Sequence, residues 1–435
     1  MVENQNNLTD LIQAHIREAG SNRDSIGRLL VEERGFTPKD GRALADAVCR
    51  KMTEERFPPI TEMELMLTED CNQCCDYCFV EGKNPFNPMN WETARKAIDF
   101  LFKQSRKKPD LKILFFGGEP MLAFELIREI VLYVEEKQAE TGKKVSFDMT
   151  TNGTLFDDER ASFLSTHSVK YLISIDGDKE THDLHRQTTN GSSSYLRIIH
   201  SLPLFKRYQP WLGARMTVHP DTVDRILENV MHLAGLGFNQ FLVGPATGIE
   251  WSDRGLDTYR DRMIMVTRWL KEEIDKGNNF RINSLEESVA MMGGKSNFWG
   301  CRAGRHSITV TARGTIFPCS KMLGVDNLEG IYPLGTLDDG ITEINNRLSL
   351  CGMVPVERQT CLDCRWADTC MGGCFATNYQ ATGSPFSPDP FECRLKSRTM
   401  EIALAAEEIL GAEFFRRLSE KRKPVAPSVI FSPPD

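Results

Sequence analysis

The sequence predicts an α/β fold, a partial barrel with a helical segment before it and a loop-rich segment after it. Two observations carry this expectation. From about residue 60 to 290, short apolar strands alternate with helical segments of apolar period. After residue 290 that rhythm stops, and glycine, proline and cysteine become dense. The chain has 435 residues, more than one ordinary core needs, and 40% apolar with 26% charged residues fits a globular protein.

Residues 1–58 read as helical. Thr9 caps a first helix with Leu11, Ile12, His15 and Ile16 on one face, and Gly35 ends a second. Thr37 caps a third, with Pro38 in its first position and Leu44, Ala45, Val48 and Met52 as its stripe. Pro58-Pro59 marks a boundary. Met63, Leu65 and Leu67 then alternate with Glu62 and Glu64, the pattern of a strand. Asn90 caps the helix that follows. Further strands are expected at 112–116, 145–149, 169–175, 214–218 and 241–243, with helices at 124–136 and 257–276 among the connections. Six βα units in a row predict a parallel sheet with helices outside, an open (β/α)6 barrel of the TIM type. The expected divisions are 1–58, a helical extension; 59–290, the barrel; 291–400, the cysteine-rich segment; and 401–435, a C-terminal helix and tail. The last amphipathic helix is expected over 395–417.

Composition excludes several classes of function. The net charge of −8 and pI of about 5.7 argue against a nucleic-acid-binding surface. The opening MVENQNNLTD has no basic run followed by an apolar one, so no secretory signal is expected, and no stretch is long and apolar enough to span a bilayer. The expected location is the cytoplasm. In that reducing compartment thirteen cysteines read as metal ligands rather than disulfides. Four fall between Cys71 and Cys78, eight between Cys301 and Cys393, and Cys49 alone reads as a small buried apolar residue.

The first group reads Cys71-Asn-Gln-Cys74-Cys75-Asp-Tyr77-Cys78. As two CxxC pairs it would be a zinc knuckle, cramped because Cys74 and Cys75 are adjacent and point in different directions. As Cys71-x3-Cys75-x2-Cys78 it gives three thiolates for a four-iron cluster, with one iron open to an outside ligand and Cys74 a bystander. This triplet in the loop after the first strand resembles the radical S-adenosylmethionine (SAM) signature. Further marks of that family follow in order, each at a strand's C-terminal end, where barrel sites are built. Gly117-Gly118-Glu119-Pro120 resembles the segment whose backbone holds the methionine amino group. Thr151-Asn152-Gly153 resembles the ribose contact, and Ser174, with Arg186 shortly after Asp176-Gly177, the holders of the SAM carboxylate. Gly244 resembles the glycine that lets adenine approach, and Tyr77 joins this SAM-binding set. The resemblance implies that SAM is cleaved to methionine and a 5′-deoxyadenosyl radical, which takes a hydrogen atom from an unactivated C–H bond while the protein positions the target.

The second group reads Cys301-x12-Gly314-x4-Cys319, then Cys361-x2-Cys364-x5-Cys370-x3-Cys374, then Cys393. It resembles the seven-cysteine SPASM pattern. By that resemblance Cys361, Cys364, Cys370 and Cys393 hold an outer auxiliary cluster, and Cys301, Cys319 and Cys374 an inner one, making three 4Fe–4S clusters in all. Seven thiolates for two clusters leave one iron position open. A substrate thiolate, a substrate amide or another side chain, Cys351 among them, is the candidate to fill it, and His306 reads as a hydrogen-bonding neighbour. Members of the family mostly act on peptides or proteins. The resemblance therefore implies a ribosomally made precursor peptide as substrate, a thioether or carbon–carbon cross-link as product, and an external reductant such as flavodoxin or ferredoxin. Sulfatase maturation is the alternative, and an iron–sulfur electron carrier a reading of another class. Sulfatase-maturing relatives carry an aspartate just after the cysteine of the Gly-x4-Cys segment. Here that position is Ser320, which leaves the base unassigned; Asp326, Glu329 and Tyr332 nearby read as structural. Residues 1–58 are too short and helical for a winged-helix leader grip, so a separate leader-binding protein is one expectation.

Overall fold

The computed structural model describes residues 23–45, 57–78, 80, 88–209, 211–292, 301–323, 332–351, 361, 363–370 and 372–421. Thr9 and its helix, Val48, Cys49, Met52 and the tail beyond 421 lie outside them. The chain divides into two compact units, Met1–Pro58 and Pro59–Asp435. In the first, helix Arg23–Arg34 ends at Gly35, whose φ of +68° suits a residue without a Cβ. Thr37 Oγ1 then accepts from Asp40 N at 3.1 Å and starts a further helical stretch.

The second unit is built on alternation. Strands β1 (Glu62–Thr68), β2 (Asp110–Gly117), β3 (Lys144–Thr151), β4 (Val169–Ser174), β5 (Gly213–Val218) and β6 (Gln240–Pro245) pair in that order, all parallel. Met63, Leu65, Ile113, Phe115 and Phe147 point to one face, where Phe115 and Phe147 stack at 5.8 Å. Helices cover that face. Trp91–Gln104 buries Ala94, Ala97, Ile98 and Leu101, and Phe124–Thr141 buries Ile127, Ile130, Val131 and Val134. The expected cap is present, with Asn90 Oδ1 accepting from Thr93 N at 2.8 Å. The opposite face carries Glu62, Glu64, Lys112, Asp148, Arg215 and Thr217. A parallel sheet whose helices lie on one face curls around the other, so these polar residues line the inside of the barrel.

The arc is open and longer than six strands. A short β7 (Arg281–Ile282) adds to β6. On the other edge, β8 (Ser307–Val310) pairs in parallel with β1, and β9 (Thr315–Phe317), β10 (Gly335–Thr336) and β11 (Gly340–Ile341) continue antiparallel. The cysteine-rich segment thus shares the barrel's sheet, which the end of the strand–helix rhythm at 290 did not suggest. Four residues with no helix after them carry no βα signature. The expected helix over 395–417 is instead two, Pro390–Leu410 and Ala412–Lys421, broken at Gly411 with φ +83°. The first begins early because Asp389 accepts from Phe391 N and Glu392 N, with Pro390 in the first position. No described helix is long and apolar enough to cross a membrane.

Candidate cofactor site and cysteine clusters

β1 delivers the first cysteines to the rim at the strands' C-terminal ends. Thr68 Oγ1 accepts from Asp70 N (3.1 Å) and Asp70 Oδ1 from Cys71 N (2.9 Å), turning the chain. Cys71, Cys75 and Cys78 are half-buried, whereas Cys74 is exposed, its Sγ facing the carbonyls of Gln187 (3.6 Å) and Thr188 (3.7 Å). The adjacent cysteines do point apart.

The end of β2 is fastened to this turn. Gly118 N donates to Thr68 O and Glu119 N to Asp70 O, both at 2.9 Å. Only glycine permits the approach. A Cβ on Gly117, whose φ is +140°, would stand 2.1 Å from Thr68 O, and one on Gly118 2.2 Å from Asp70 O. Backbone cannot step aside as a side-chain tip can. Gly117→Ala is therefore expected to cost about 2 kcal/mol or more and to lower iron retention, read by denaturant unfolding and iron assay. An unchanged midpoint would contradict the close approach. Glu119 extends the fastening to β3: Oε1 accepts from Thr151 Oγ1 (2.7 Å) and Met121 N (3.0 Å), and Oε2 from Asn152 N (2.7 Å). Burial pushes the Glu119 carboxyl up to about 7. Asn152 Nδ2 returns to Asn72 Oδ1 at 2.7 Å and lies 4.0 Å from Cys71 Sγ.

A second brace holds the other side. Asp176, beyond β4, accepts from Arg186 Nε (2.8 Å) and Nη2 (3.2 Å), from Thr217 N (2.7 Å) and from the Tyr77 hydroxyl. Burial opposes the charge on Asp176, but the Arg186 guanidinium overrides it and holds the carboxyl below its ordinary range. Arg186 Nη1 lies 4.0 Å from Cys75 Sγ, and its guanidinium 5.2 Å from the centre of the Tyr77 ring. Both charges are buried, so Asp176→Asn strands a cation. A loss of about 3–5 kcal/mol is expected in denaturant unfolding, and a loss under about 1 kcal/mol would refute the brace. Ser174 closes β4, in register with Arg215 of β5, and a Cβ on Gly244 would stand 3.4 Å from Arg215 Nη1. The residues nominated at strand ends therefore share one rim. Arg215 and Thr217 were not nominated, although their alternation with Ala214, Met216 and Val218 places them on the inner face. Burial and the charge of Arg186 push Arg215's pKa down.

The remaining thiols fall into two sets. Cys319 is pushed far up by burial and by the charges of Cys301 and Cys374, which lie within electrostatic reach. Cys393 is pushed up to about 11 by burial and by Cys370, Cys361 and Cys364. Cys351 joins neither: its Sγ faces Gly304 O at 3.9 Å, with Arg347 and Arg305 as its charged neighbours. His306 Nδ1 lies 3.0 Å from Pro59 O, a backbone partner. Tyr332 packs edge-on against Tyr379 at 5.8 Å, while Asp326 and Glu329 lie outside the described residues. A carboxylate the sequence reading missed stands by the inner set. Glu64 Oε2 accepts from Thr309 Oγ1 (2.6 Å) and Ser320 N (3.2 Å), and its charge reaches Cys319. Burial raises its pKa.

The thiols suit iron–sulfur clusters better than single ions. Among the described residues no three cysteine sulfurs lie within 4.8 Å of one another, as one tetrahedral zinc requires. The three in the first loop have the Arg186 guanidinium beside Cys75 and form no disulfide. Residues 65–245 match the family model described as the radical SAM superfamily. They are a radical SAM domain. Such a domain works with a 4Fe–4S cluster and SAM. The chain is 24% identical over 337 residues to the cysteine-type anaerobic sulfatase-maturating enzyme of Clostridium perfringens, covering 73% of this chain and 89% of that one. Two solved structures share the fold. Native anSMEcpe with bound AdoMet and Cp18Cys peptide superposes with a TM-score of 0.66 at 18% identity, over 84% of this chain and 100% of the other. Streptococcus suis SuiB bound to precursor peptide SuiA gives 0.58 at 16% identity, over 82% and 81%. The radical SAM domain and this kinship make the chain an enzyme.

Proposed function

We propose that the chain oxidises a side chain of a ribosomally made precursor peptide by hydrogen-atom abstraction, forming a thioether or carbon–carbon cross-link. The observation that supports this is that, besides the three cysteines of the first loop, Cys301 and Cys374 lie within electrostatic reach of Cys319, and Cys361, Cys364 and Cys370 within reach of Cys393. In this reading Cys71, Cys75 and Cys78 hold the SAM-binding cluster. Cys301, Cys319 and Cys374 hold an inner auxiliary cluster, and Cys361, Cys364, Cys370 and Cys393 an outer one. Residues 59–290 then hold SAM, 291–400 form the SPASM part, 401–435 close the chain, and 1–58 stand as a separate extension. Bound together, the first cluster and SAM supply a 5′-deoxyadenosyl radical.

The chain's own residues do the rest. Gly117, Gly118, Glu119 and Pro120 turn backbone toward the methionine end. Ser174 and the Nη1 edge of Arg186 face its carboxylate. Thr151 and Asn152 take the ribose, Gly244 leaves room for adenine, and Tyr77 and Asp176 keep Arg186 aimed. Arg215 on the inner face anchors an anionic group. Glu64 receives the proton released when the substrate radical is oxidised, and auxiliary clusters held by Cys301, Cys319 and Cys374 and by Cys361, Cys364, Cys370 and Cys393 would supply the acceptor for the electron. Oxygen-sensitive clusters set the reaction in an oxygen-poor cytoplasm.

Peptides bound to anSMEcpe and SuiB support a peptide substrate. Kinship with the C. perfringens enzyme supports a second reading, oxidation of a sulfatase cysteine or serine to formylglycine. Ser320, standing where that chemistry leads one to expect an aspartate, favours the first. The test is anaerobic incubation with SAM, a flavodoxin-type reductant and either a sulfatase-motif peptide or a precursor peptide encoded beside the gene. A precursor lighter by a hydrogen pair, with 5′-deoxyadenosine formed, is expected. An aldehyde on the sulfatase peptide alone would select the second reading. No 5′-deoxyadenosine with either would overturn both and favour an electron carrier. Equal turnover of the precursor without its leader would remove the need for a leader-binding protein.

A further inference from the structure

The barrel rim holds a constellation that the cofactor site does not use. His185 ends helix Lys179–His185, and His219 follows β5 directly. Their rings stack with centroids 3.9 Å apart. Asp221 completes the group: a ligand atom from each of His185, His219 and Asp221 lies within 4.8 Å of the other two. Among the described residues it is the only such trio.

Two further observations point to a ligand. His185 is 6% exposed, and its Nε2 has no hydrogen-bond partner among the described residues. A buried ring nitrogen without a partner is costly, and native interiors rarely leave one. Its other nitrogen is held, since Nδ1 lies 2.8 Å from Asp76 Oδ2. A carboxylate on the far nitrogen is how metal-bound histidines are oriented and made more basic. His219 Nδ1 lies 3.3 Å from Asp221 Oδ2 and accepts from Asp221 N at 3.2 Å. A 3.3 Å gap between nitrogen and oxygen suits neighbouring ligands of one ion bonded at roughly 2.0–2.2 Å. The ion would replace the backbone N–H on that nitrogen.

We propose that His185, His219 and Asp221 bind one divalent first-row transition ion of the zinc class, with Asp76 orienting His185. Two imidazoles and a carboxylate select such an ion over magnesium or calcium, which prefer all-oxygen sets. The Asp221 side chain is 69% exposed, so the ion enters from solvent and keeps a position open beyond its three protein ligands. Asp76 belongs to the first cysteine loop, next to Cys75. The ion therefore clamps that loop to the exit of β5, a role separate from SAM cleavage and independent of which peptide is the substrate.

The test is equilibrium dialysis of the full, iron-loaded chain against zinc, with iron and zinc counted together. The wild type is expected to bind one zinc per chain. His219→Ala and Asp221→Asn should each weaken it at least tenfold, and Asp76→Asn about tenfold, with iron content unchanged. Asp221 is exposed, so its variant keeps the fold, and thermal melting checks this. No zinc on the wild type would overturn the proposal. So would zinc held equally by the His219→Ala and Asp221→Asn variants, which would place it on thiols.

Discussion

Replacing Cys71, Cys75 and Cys78 together by alanine is expected to lower the iron of the reconstituted chain from about twelve to about eight atoms per molecule. The three residues share one loop, and the electrostatic neighbours of Cys319 and Cys393 are among the other seven thiols and not the cysteines of that loop. Their clusters should load without the first. SAM cleavage should fall to background, because the first loop no longer holds the cluster that would offer an open iron to its amino and carboxylate groups. Iron and sulfide counting, with 5′-deoxyadenosine measured beside it, reads both effects. A fall to no iron would mean that the sets are not separable. Four or fewer irons in the wild type, with zinc present, would overturn the three-cluster reading.

Glu64→Gln should separate the two halves of the reaction. The amide keeps the size of the side chain and an oxygen for Thr309 Oγ1 or Ser320 N, but it cannot take up a proton. Peptide product is expected to fall about 10²-fold or more, while 5′-deoxyadenosine persists within a few-fold of wild type. Glu62, on the same face, is the control. It pairs with Arg302 at 3.0 Å, so Glu62→Gln should weaken folding and leave the ratio of product to 5′-deoxyadenosine unchanged. Equal losses of product and 5′-deoxyadenosine in Glu64→Gln would remove Glu64 from proton transfer and leave it a structural partner of Ser320.

That Glu64 was not visible in the sequence has a physical reason. Alternation divides β1 correctly into Met63, Leu65 and Leu67 against Glu62 and Glu64. A polar face normally means solvent, and only closure of the sheet turns it into a barrel interior. Arg215 was missed in the same way, since a single arginine between Ala214 and Met216 looks like any exposed position. The six strands and the rim were legible because the strands alternate with helical segments that carry apolar stripes, and cap residues such as Asn90 act locally. β8 was not legible. Ser-Ile-Thr-Val becomes a strand by docking on β1, and nothing within four residues encodes a partner so far away. The break at Gly411 is a local signal, a glycine inside the helix expected over 395–417. The His185–His219 group joins a helix end, a strand end and the cysteine loop, and no spacing rule links those three.

The pairing of Glu64 with Thr309 spans 245 positions of the chain. During synthesis β1 and its cysteines leave the ribosome long before β8 exists to cover them. Until then β1 is an edge strand with unpaired backbone groups, the kind that recruits other chains. Contacts this distant also slow folding. A shortened gene product ending before residue 301 would thus be more than an enzyme lacking its last cysteines. It would carry an uncovered barrel edge and stand to aggregate as it is made, so the barrel and the cysteine-rich segment are inherited and lost as one folding unit.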